Sequence, residues 1–185
     1  QAIPGTYQLT LTYDDDHFET PAIIQANPLY DLSEAQYRAY HEFMSSAAAT
    51  YREMTNMTTR LNEINTKLKS LLAKMDPTNH DELIAKGNTL SKDLTLWDGI
   101  MVQRLSKAYD DVENFENGFT AHYLNLISES NSSIPKITQG SESRKVELNA
   151  EWAIHKQHAE HLLRGQVQAF NVACQGQSVG VLFVE

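Results

Sequence analysis

Several residue types and patterns are scarce in this chain of 185 residues, and each shortage excludes a class of protein. The single cysteine, Cys174, cannot form an internal disulfide, and we expect it to be a small buried hydrophobic side chain. No apolar run approaches the roughly 20 residues of a transmembrane helix, so we predict no membrane insertion. Asp and Glu (24) outnumber the scattered Lys and Arg (15), and the formal charge of −9 argues against nucleic acid as a partner.

Motifs that carry chemistry are also missing. The chain has no Gly-x-Ser-x-Gly, no glycine-rich phosphate loop and no His-Glu-x-x-His. Paired carboxylates such as Asp110 and Asp111, or Glu113 and Glu116, could be drawn as a glycosidase acid and nucleophile, but they lie at a break between helices, where a solvated turn is the simpler interpretation. We therefore assign no catalytic, cofactor-binding or metal-binding residue and expect no cofactor.

One alternative function comes from the histidines. His155, His158 and His161 lie three residues apart with Glu151 and Glu160 nearby, and such spacing on a helix can present two ligands to Zn²⁺. Carboxylate-bridged metal bundles need Glu-x-x-His on two helices, and this chain has none. A metal-binding or enzymatic bundle using His155, His158 and nearby carboxylates is the alternative to a structural interpretation, in which His155 lies in a helix seam.

The stretch from Ser33 to Met75 predicts one long helix with an apolar, coiled-coil-like seam. Ser33 and Gln36 form a capping box at its start, and no Pro or Gly interrupts it. Apolar residues recur in steps of three and four, and only Thr50 is polar among Tyr40, Phe43, Ala47, Thr50, Met54, Met57, Leu61, Ile64, Leu68, Leu71 and Met75. A helix of this length needs partners along its seam.

Two further arms supply those partners within the chain, so self-association is optional. After Pro77, with a new N-cap at Thr78, Asn79 or Asp81, a second seam comprises Leu83, Gly87, Leu90, Leu94, Trp97, Met101, Leu105 and Ala108. The spacing of apolar residues in steps of three and four stops from Tyr109 to Gly118. A shorter helix is predicted after it, with Phe119, Tyr123, Leu126 and Ile127 as its apolar residues. A third arm, Ser141 to Cys174, bears Leu148, Trp152, His155, Ala159, Leu163, Val167 and Phe170, and Gly176 follows as a C′ residue.

The residue patterns at the two ends of the chain predict β-strands. Thr6–Tyr13 alternates with an apolar face, Asp14–Asp16 supplies a turn, and Phe18–Gln25 returns with Pro21 at an edge or a bulge. Because a lone hairpin is marginal in water, its apolar face must pack on the helices or on a sheet outside this sequence. Val179–Val184 predicts a short strand that could pair with the hairpin or with a neighbouring sheet.

The predicted fold is mainly α: a long antiparallel three- to four-helix bundle with an N-terminal β-hairpin and a short C-terminal strand. Residues 1–28 form the hairpin and residues 29–185 the bundle and its tail. Trp97 and Trp152 should fill the core. An aromatic group near the hairpin is interpreted as a hydrophobic joint between sheet and bundle, with a ligand platform as the alternative; it comprises Tyr37, Tyr40, Phe43 and Tyr51.

The order of these features resembles the C-terminal region of large secreted sortilin-like β-propeller proteins, often named BNR-repeat or glycosyl hydrolase-like. The resemblance covers nearly the whole chain. It rests on Pro4-Gly5-Thr6-Tyr7-Gln8-Leu9-Thr10-Leu11, which is similar to the last hairpin of a β-sandwich, on the long helical hairpin, and on Glu116-Asn117-Gly118-Phe119-Thr120, Ala169-Phe170-Asn171 and Gly180-Val181.

The resemblance implies a non-catalytic accessory module of an exported protein. Its partners would be the β-propeller and sandwich domains upstream in the same polypeptide, and its location would be secreted or periplasmic. The propeller repeats are absent here, so any active site would lie outside this chain. The chain opens on Gln1 and leads directly into a strand pattern, and we expect it to be an excerpt of a longer polypeptide.

Overall fold

The computed structural model describes residues 2–107, 114–131, 134–177 and 179–182. In these residues a two-stranded antiparallel sheet precedes a set of helices, which confirms the predicted mainly α fold with an N-terminal hairpin. The elements in chain order are β1 (Gly5–Tyr13), β2 (Asp16–Ile24), α1 (Glu34–Leu72), α2 (Pro77–Met101), α3 (Phe119–Ser130), α4 (Gln139–His161), a π-helical segment (Leu162–Val167) and α5 (Gln168–Gly176).

Helix α1 begins as the sequence predicts and ends three residues earlier. The Ser33 hydroxyl accepts from the backbone N–H of Gln36 at 3.3 Å, and the Gln36 side-chain oxygen accepts from the N–H of Ser33 at 2.8 Å. This reciprocal pair satisfies two of the N–H groups that a helix start leaves without partners. None of the predicted seam side chains is exposed, and the fully buried ones are Tyr40, Ala47, Met54, Leu61, Ile64 and Leu68.

Helix α2 packs antiparallel on α1. Asn65 of α1 donates to Thr95 at 2.9 Å and accepts from Ser91 at 2.7 Å, whereas Leu72 at the end of α1 lies against Gly87. Gly87 is buried, and a Cβ there would stand 2.5 Å from a Leu72 methyl carbon, so a larger residue at this position would displace the Leu72 side chain.

The cap of α2 differs from the prediction. Asp76, rather than Thr78, Asn79 or Asp81, is the N-cap, and its carboxylate accepts from the backbone N–H of Thr78 at 3.0 Å. Pro77 occupies the first helical turn, where its missing N–H costs nothing, so the cap must come from the residue before it. The hydrogen bond to the Thr78 N–H lowers the pKa of Asp76.

The middle arm is interrupted after Met101, so the predicted continuation of its seam to Leu105 is wrong. Val102 has extended backbone angles, and Leu105 is 67% exposed. Beyond the break, the Thr120 hydroxyl donates to the Met101 carbonyl at 2.8 Å, which places the start of α3 against the end of α2. The predicted seam residue Ala108, the first half of the predicted break and the carboxylates Asp110, Asp111 and Glu113 lie outside the described residues.

Helix α3 continues the middle arm and runs antiparallel to α4. The Phe119 ring lies beside His155, and further along α3 the Tyr123 hydroxyl donates to Asn149 at 2.9 Å. The fold is thus three long arms with the second one in two pieces. A single core joins them, lined by residues that include Trp97, Tyr123, Leu148 and Val167.

The third arm is longer than predicted and is not α-helical throughout. It starts at Gln139, where the Thr138 hydroxyl accepts from the N–H of Ser141 at 3.1 Å, and its central Leu162–Val167 segment is a π-helix. A π-helix inserts an extra residue into a turn, and here Leu162 and Leu163 are both buried. The arm ends within α5, whose last residue is Gly176. Because the C-cap is Gln177, Gly176 lies within the helix and is not the predicted C′ residue.

The predicted C-terminal strand is wrong for the part of it that the structure describes. Residues 179–182 have no strand partner, while residues 183–185 lie outside the described chain. Instead, the Asn171 amide donates to the Leu182 carbonyl at 2.7 Å and accepts from the Leu182 N–H at 2.7 Å. The Asn171 side chain thereby supplies the hydrogen bonds to the Leu182 backbone that a neighbouring strand would otherwise make. Leu182 is buried in the helical core rather than near the hairpin.

Substitutions at two glycines can test how closely the end of α2 and the start of α3 pack. A Cβ on Gly118 would lie 2.6 Å from the Met101 carbonyl oxygen and 2.7 Å from the Val102 nitrogen, both backbone atoms, whereas a Cβ on Gly99 would meet nothing within 4 Å. We expect Gly118→Ala to destabilise the fold by about 1–3 kcal/mol, because α3 must move away from α2. Gly99→Ala should stabilise it by about 1 kcal/mol through helix propensity.

Urea unfolding followed by circular dichroism at the helical band measures both changes. Equal stability of Gly118→Ala and the parent would show that α2 and α3 do not meet closely.

Candidate functional site

The apolar face of the hairpin is exposed in this chain. Directly paired residues share a face, so Leu9 (paired with Thr20), Leu11 (paired with Phe18) and Tyr13 point to the same side. Leu11 is 66% exposed, Tyr13 70% and Phe18 59%. The sequence predicted that this face is buried against either the helices or another sheet, and the helices do not bury it.

A cavity of about 290 Å³ lies where the base of the hairpin meets the start of α1. Its walls come mainly from the residues before β1 and at the end of β2, from the connection to α1 and from the first turns of α1. They include Ile3, Pro4, Ile24, Tyr30, Tyr37, Tyr40 and His41, together with Pro135 from the connection between α3 and α4. The hydroxyl groups of Tyr37 and Tyr40 are buried, and neither has a hydrogen-bond partner among the described residues. Burial also raises the pKa of Tyr40.

The four aromatics at the start of α1 therefore divide into two groups. Tyr37 and Tyr40 line the joint cavity, while Phe43 and Tyr51 pack against the helical core. Lys145 of α4 lies over the Phe43 ring, with its Nζ 4.4 Å from the ring centroid, and also donates to the Phe43 carbonyl at 3.3 Å. Partial burial lowers the pKa of Lys145. No sequence pattern indicates this contact, because the two residues are 102 positions apart.

The histidines of the alternative function do not converge. The His155 ring is half-buried, 5.0 Å from the Phe119 ring and 3.7 Å from a Glu151 oxygen, whereas His158 is exposed. The His161 ring lies beside Gly165, on the next turn. In the part of the chain that the structure describes, no three His, Cys, Asp or Glu side chains are grouped as a metal site requires.

Both tryptophans lie in the core as predicted, and each indole N–H has a partner. Trp97 donates to the His155 carbonyl at 3.0 Å, and Trp152 donates to a Glu53 oxygen at 2.9 Å. The other Glu53 oxygen accepts from Lys156 at 2.5 Å. These two hydrogen bonds lower the pKa of Glu53, and the bond to Glu53 raises the pKa of Lys156. Cys174 is fully buried, and burial raises the pKa of its thiol.

The chain matches no protein-family model, no curated protein and no solved structure. None of the helices in the described residues combines the length and the low polarity that crossing a bilayer requires.

The hydrogen bonds of the Glu53 carboxylate to Trp152 and Lys156 should make a contribution to the free energy of unfolding that depends on pH. Since folding lowers the pKa of this carboxylate below its ordinary value of 4.5, the contribution is complete above that value and is lost as the pH falls through the folded-state pKa. The Glu53 side chain is 42% exposed, so we expect Glu53→Gln to cost only about 0.5–1 kcal/mol at neutral pH. The difference from the parent should vanish in acid.

Urea denaturation at a series of pH values, followed by tryptophan fluorescence, measures this difference. Glu63→Gln, at an exposed position of the same helix, is the matched control and should leave the stability at neutral pH close to that of the parent. A pH-independent difference for Glu53→Gln would contradict the prediction.

The two phenols of the cavity predict an unusual response to deletion of a hydroxyl. Leaving a buried donor without a partner costs about 1–3 kcal/mol, so Tyr40→Phe should leave the melting temperature unchanged or raise it. In contrast, Tyr123→Phe removes the bond to Asn149 and should cost about 1 kcal/mol or more. A loss of stability in Tyr40→Phe as large as that in Tyr123→Phe would mean that the Tyr40 hydroxyl is paired.

Proposed function

We propose that this chain is a non-catalytic structural and interaction module whose hairpin docks onto a β-sheet of a larger, exported, glycosyl hydrolase-like protein. The helical bundle acts as a rigid spacer, and the hairpin is its attachment point. The propeller and sandwich domains of the same polypeptide are the proposed partners, and the location is secreted or periplasmic. This proposal follows the resemblance described above and rests on one observation, the exposed apolar face of the hairpin.

The exposed face supports docking because it is larger and more continuous than a scatter of surface side chains. Leu9, Leu11, Tyr13 and Phe18 are each more than half exposed and lie on one side of a two-stranded sheet. An isolated hairpin of this kind is marginal in water, and contiguous exposed apolar surface is typical of interaction sites. A β-sheet that packs on this face would bury it.

The charge of the hairpin opposes a second copy of the chain as the occupant. Residues 5–24 carry Asp14, Asp15, Asp16 and Glu19 and no Lys or Arg, so two hairpins packed on each other would bring like charges together. Such contacts cost free energy, whereas a partner with basic residues near the turn would gain it. A different domain is therefore the better occupant than a second hairpin.

Three groups that could carry chemistry instead have structural surroundings or partners, which supports the non-catalytic part of the proposal. Cys174 is enclosed in the core, and Glu53 holds Trp152 and Lys156. The backbone carbonyl of His155 accepts from a core tryptophan, while its ring packs beside Phe119. These interactions stabilise the bundle and use the groups that a reaction would need.

Site-specific photo-crosslinking in the source cell tests the proposal. A benzoylphenylalanine at position 11 lies on the apolar face, and one at position 10 lies on the opposite face as the matched control. We expect position 11 to crosslink to a β-rich domain of the same polypeptide, and position 10 to crosslink there much less. Products mapped by mass spectrometry that join position 11 only to a second copy of the chain, or equal labelling from both positions, would contradict it.

A further inference from the structure

The two outer edges of the hairpin differ in their capacity to accept another strand. Tyr13 and Asp16 close a two-residue loop, Asp14–Asp15, and residue pairs in an antiparallel ladder alternate between hydrogen-bonded and non-hydrogen-bonded from that closing pair. By this count the pairs Thr10–Glu19 and Gln8–Pro21 are non-hydrogen-bonded. The backbone N–H and C=O groups of such residues point away from the hairpin, toward its outer edges.

Pro21 agrees with this count. It has no N–H, yet the register continues without interruption from Gly5–Ile24 to Tyr13–Asp16, so its nitrogen must face outward. The outer edge of β2 therefore lacks a donor at its middle, and it also carries Glu19. Proline and charge on an edge strand are the features by which proteins block the addition of further strands.

The outer edge of β1 has no such block. Its outward-facing residues all carry a backbone N–H and are all uncharged, and they are Thr6, Gln8, Thr10 and Thr12. Threonine also favours extended backbone. The hairpin thus presents one open edge and one blocked edge, and the open edge adjoins the exposed apolar side chains of Leu9 and Leu11.

We infer that an extended strand of the partner pairs with the outer edge of β1 and continues the sheet on that side only. The partner strand alternates apolar and polar side chains, with its apolar side chains on the face of Leu9, Leu11 and Tyr13. A basic residue at the end near Asp14–Asp16 complements the acidic turn. This inference rests on the proposed function, since it names how the docking sheet is held.

A synthetic strand tests the edge directly. The probe is an acetylated and amidated peptide of about eight residues that alternates Val and Thr and ends in Lys, and its control has N-methyl groups on the amides of one edge. Each peptide is titrated into the isotopically labelled 185-residue chain up to a peptide concentration of about 1 mM, the range that weak strand addition requires. The exchange rates of the backbone amides are measured by NMR. We expect slower exchange at the N–H groups of Thr6, Gln8, Thr10 and Thr12 with the probe and not with the N-methylated control.

A matched pair of proline variants assigns the edge. Thr10→Pro and Glu19→Pro each remove one outward N–H from opposite members of the same residue pair, and neither removes a bond between β1 and β2. Thr10→Pro should weaken peptide binding at least about tenfold, while Glu19→Pro should change it by less than about twofold. The exchange of the Leu9 and Leu11 amides, which face β2, reports whether the hairpin is intact in both variants.

The outcomes separate the inference from the proposed function. Protection of the β2 edge at His17, Glu19 and Ile23, or equal effects of the two prolines, overturns the pairing with β1. Peptide-induced shifts of the Leu9, Leu11 and Phe18 side chains without slower exchange at either edge also overturn it, but leave docking on the apolar face in place. A probe that perturbs neither the edge nor the face contradicts both proposals.

Discussion

Burial of the α1 seam is the constraint on which the rest of the structure depends. A helix of 39 residues exposes an apolar stripe along its entire length unless other helices cover it. Helix α2 covers one side of the stripe, and α3 and α4 cover another, so three arms share one core. The order of the arms and the short connection after α1 follow from this requirement, because only an immediate reversal brings the next apolar seam against the first.

Paired polar groups determine how the arms are aligned within that core. Apolar contacts alone tolerate sliding, whereas a buried polar atom loses free energy unless it meets its partner. The Asn65–Ser91 bond sets α2 against α1, and the Glu53–Trp152 bond sets α4 against α1. Asn171 does the same for the tail, since its amide satisfies both backbone groups of Leu182. These few hydrogen bonds set the alignment of the apolar surfaces that pack on each other.

The hairpin end of the molecule holds several groups whose interactions are incomplete among the described residues. The hairpin has an exposed apolar face and an open strand edge, and beside its base lie two buried phenols that have no hydrogen-bond partner among the described residues. In the bundle, by contrast, the indole N–H groups of Trp97 and Trp152 and the amide of Asn65 all have hydrogen-bond partners. This contrast is why we place the interaction function at the hairpin and a supporting role in the helices. The cavity at the base of the hairpin lies between the two.

The sequence determined the helical arms, the capping box at Ser33, the existence but not the start of the break in the middle arm, and the hairpin with its turn, because each depends on local periodicity or on residues a few positions apart. It mispredicted Leu105 and the described part of the C-terminal strand, residues 179–182. Only the tertiary structure decided those points, since the end of α2 depends on the approach of Gly118 and the tail on the distant Asn171. Likewise, alternation showed that the hairpin has an apolar face, but which surface covers that face depends on long-range packing. The three-dimensional arrangement of the arms leaves it open to a partner.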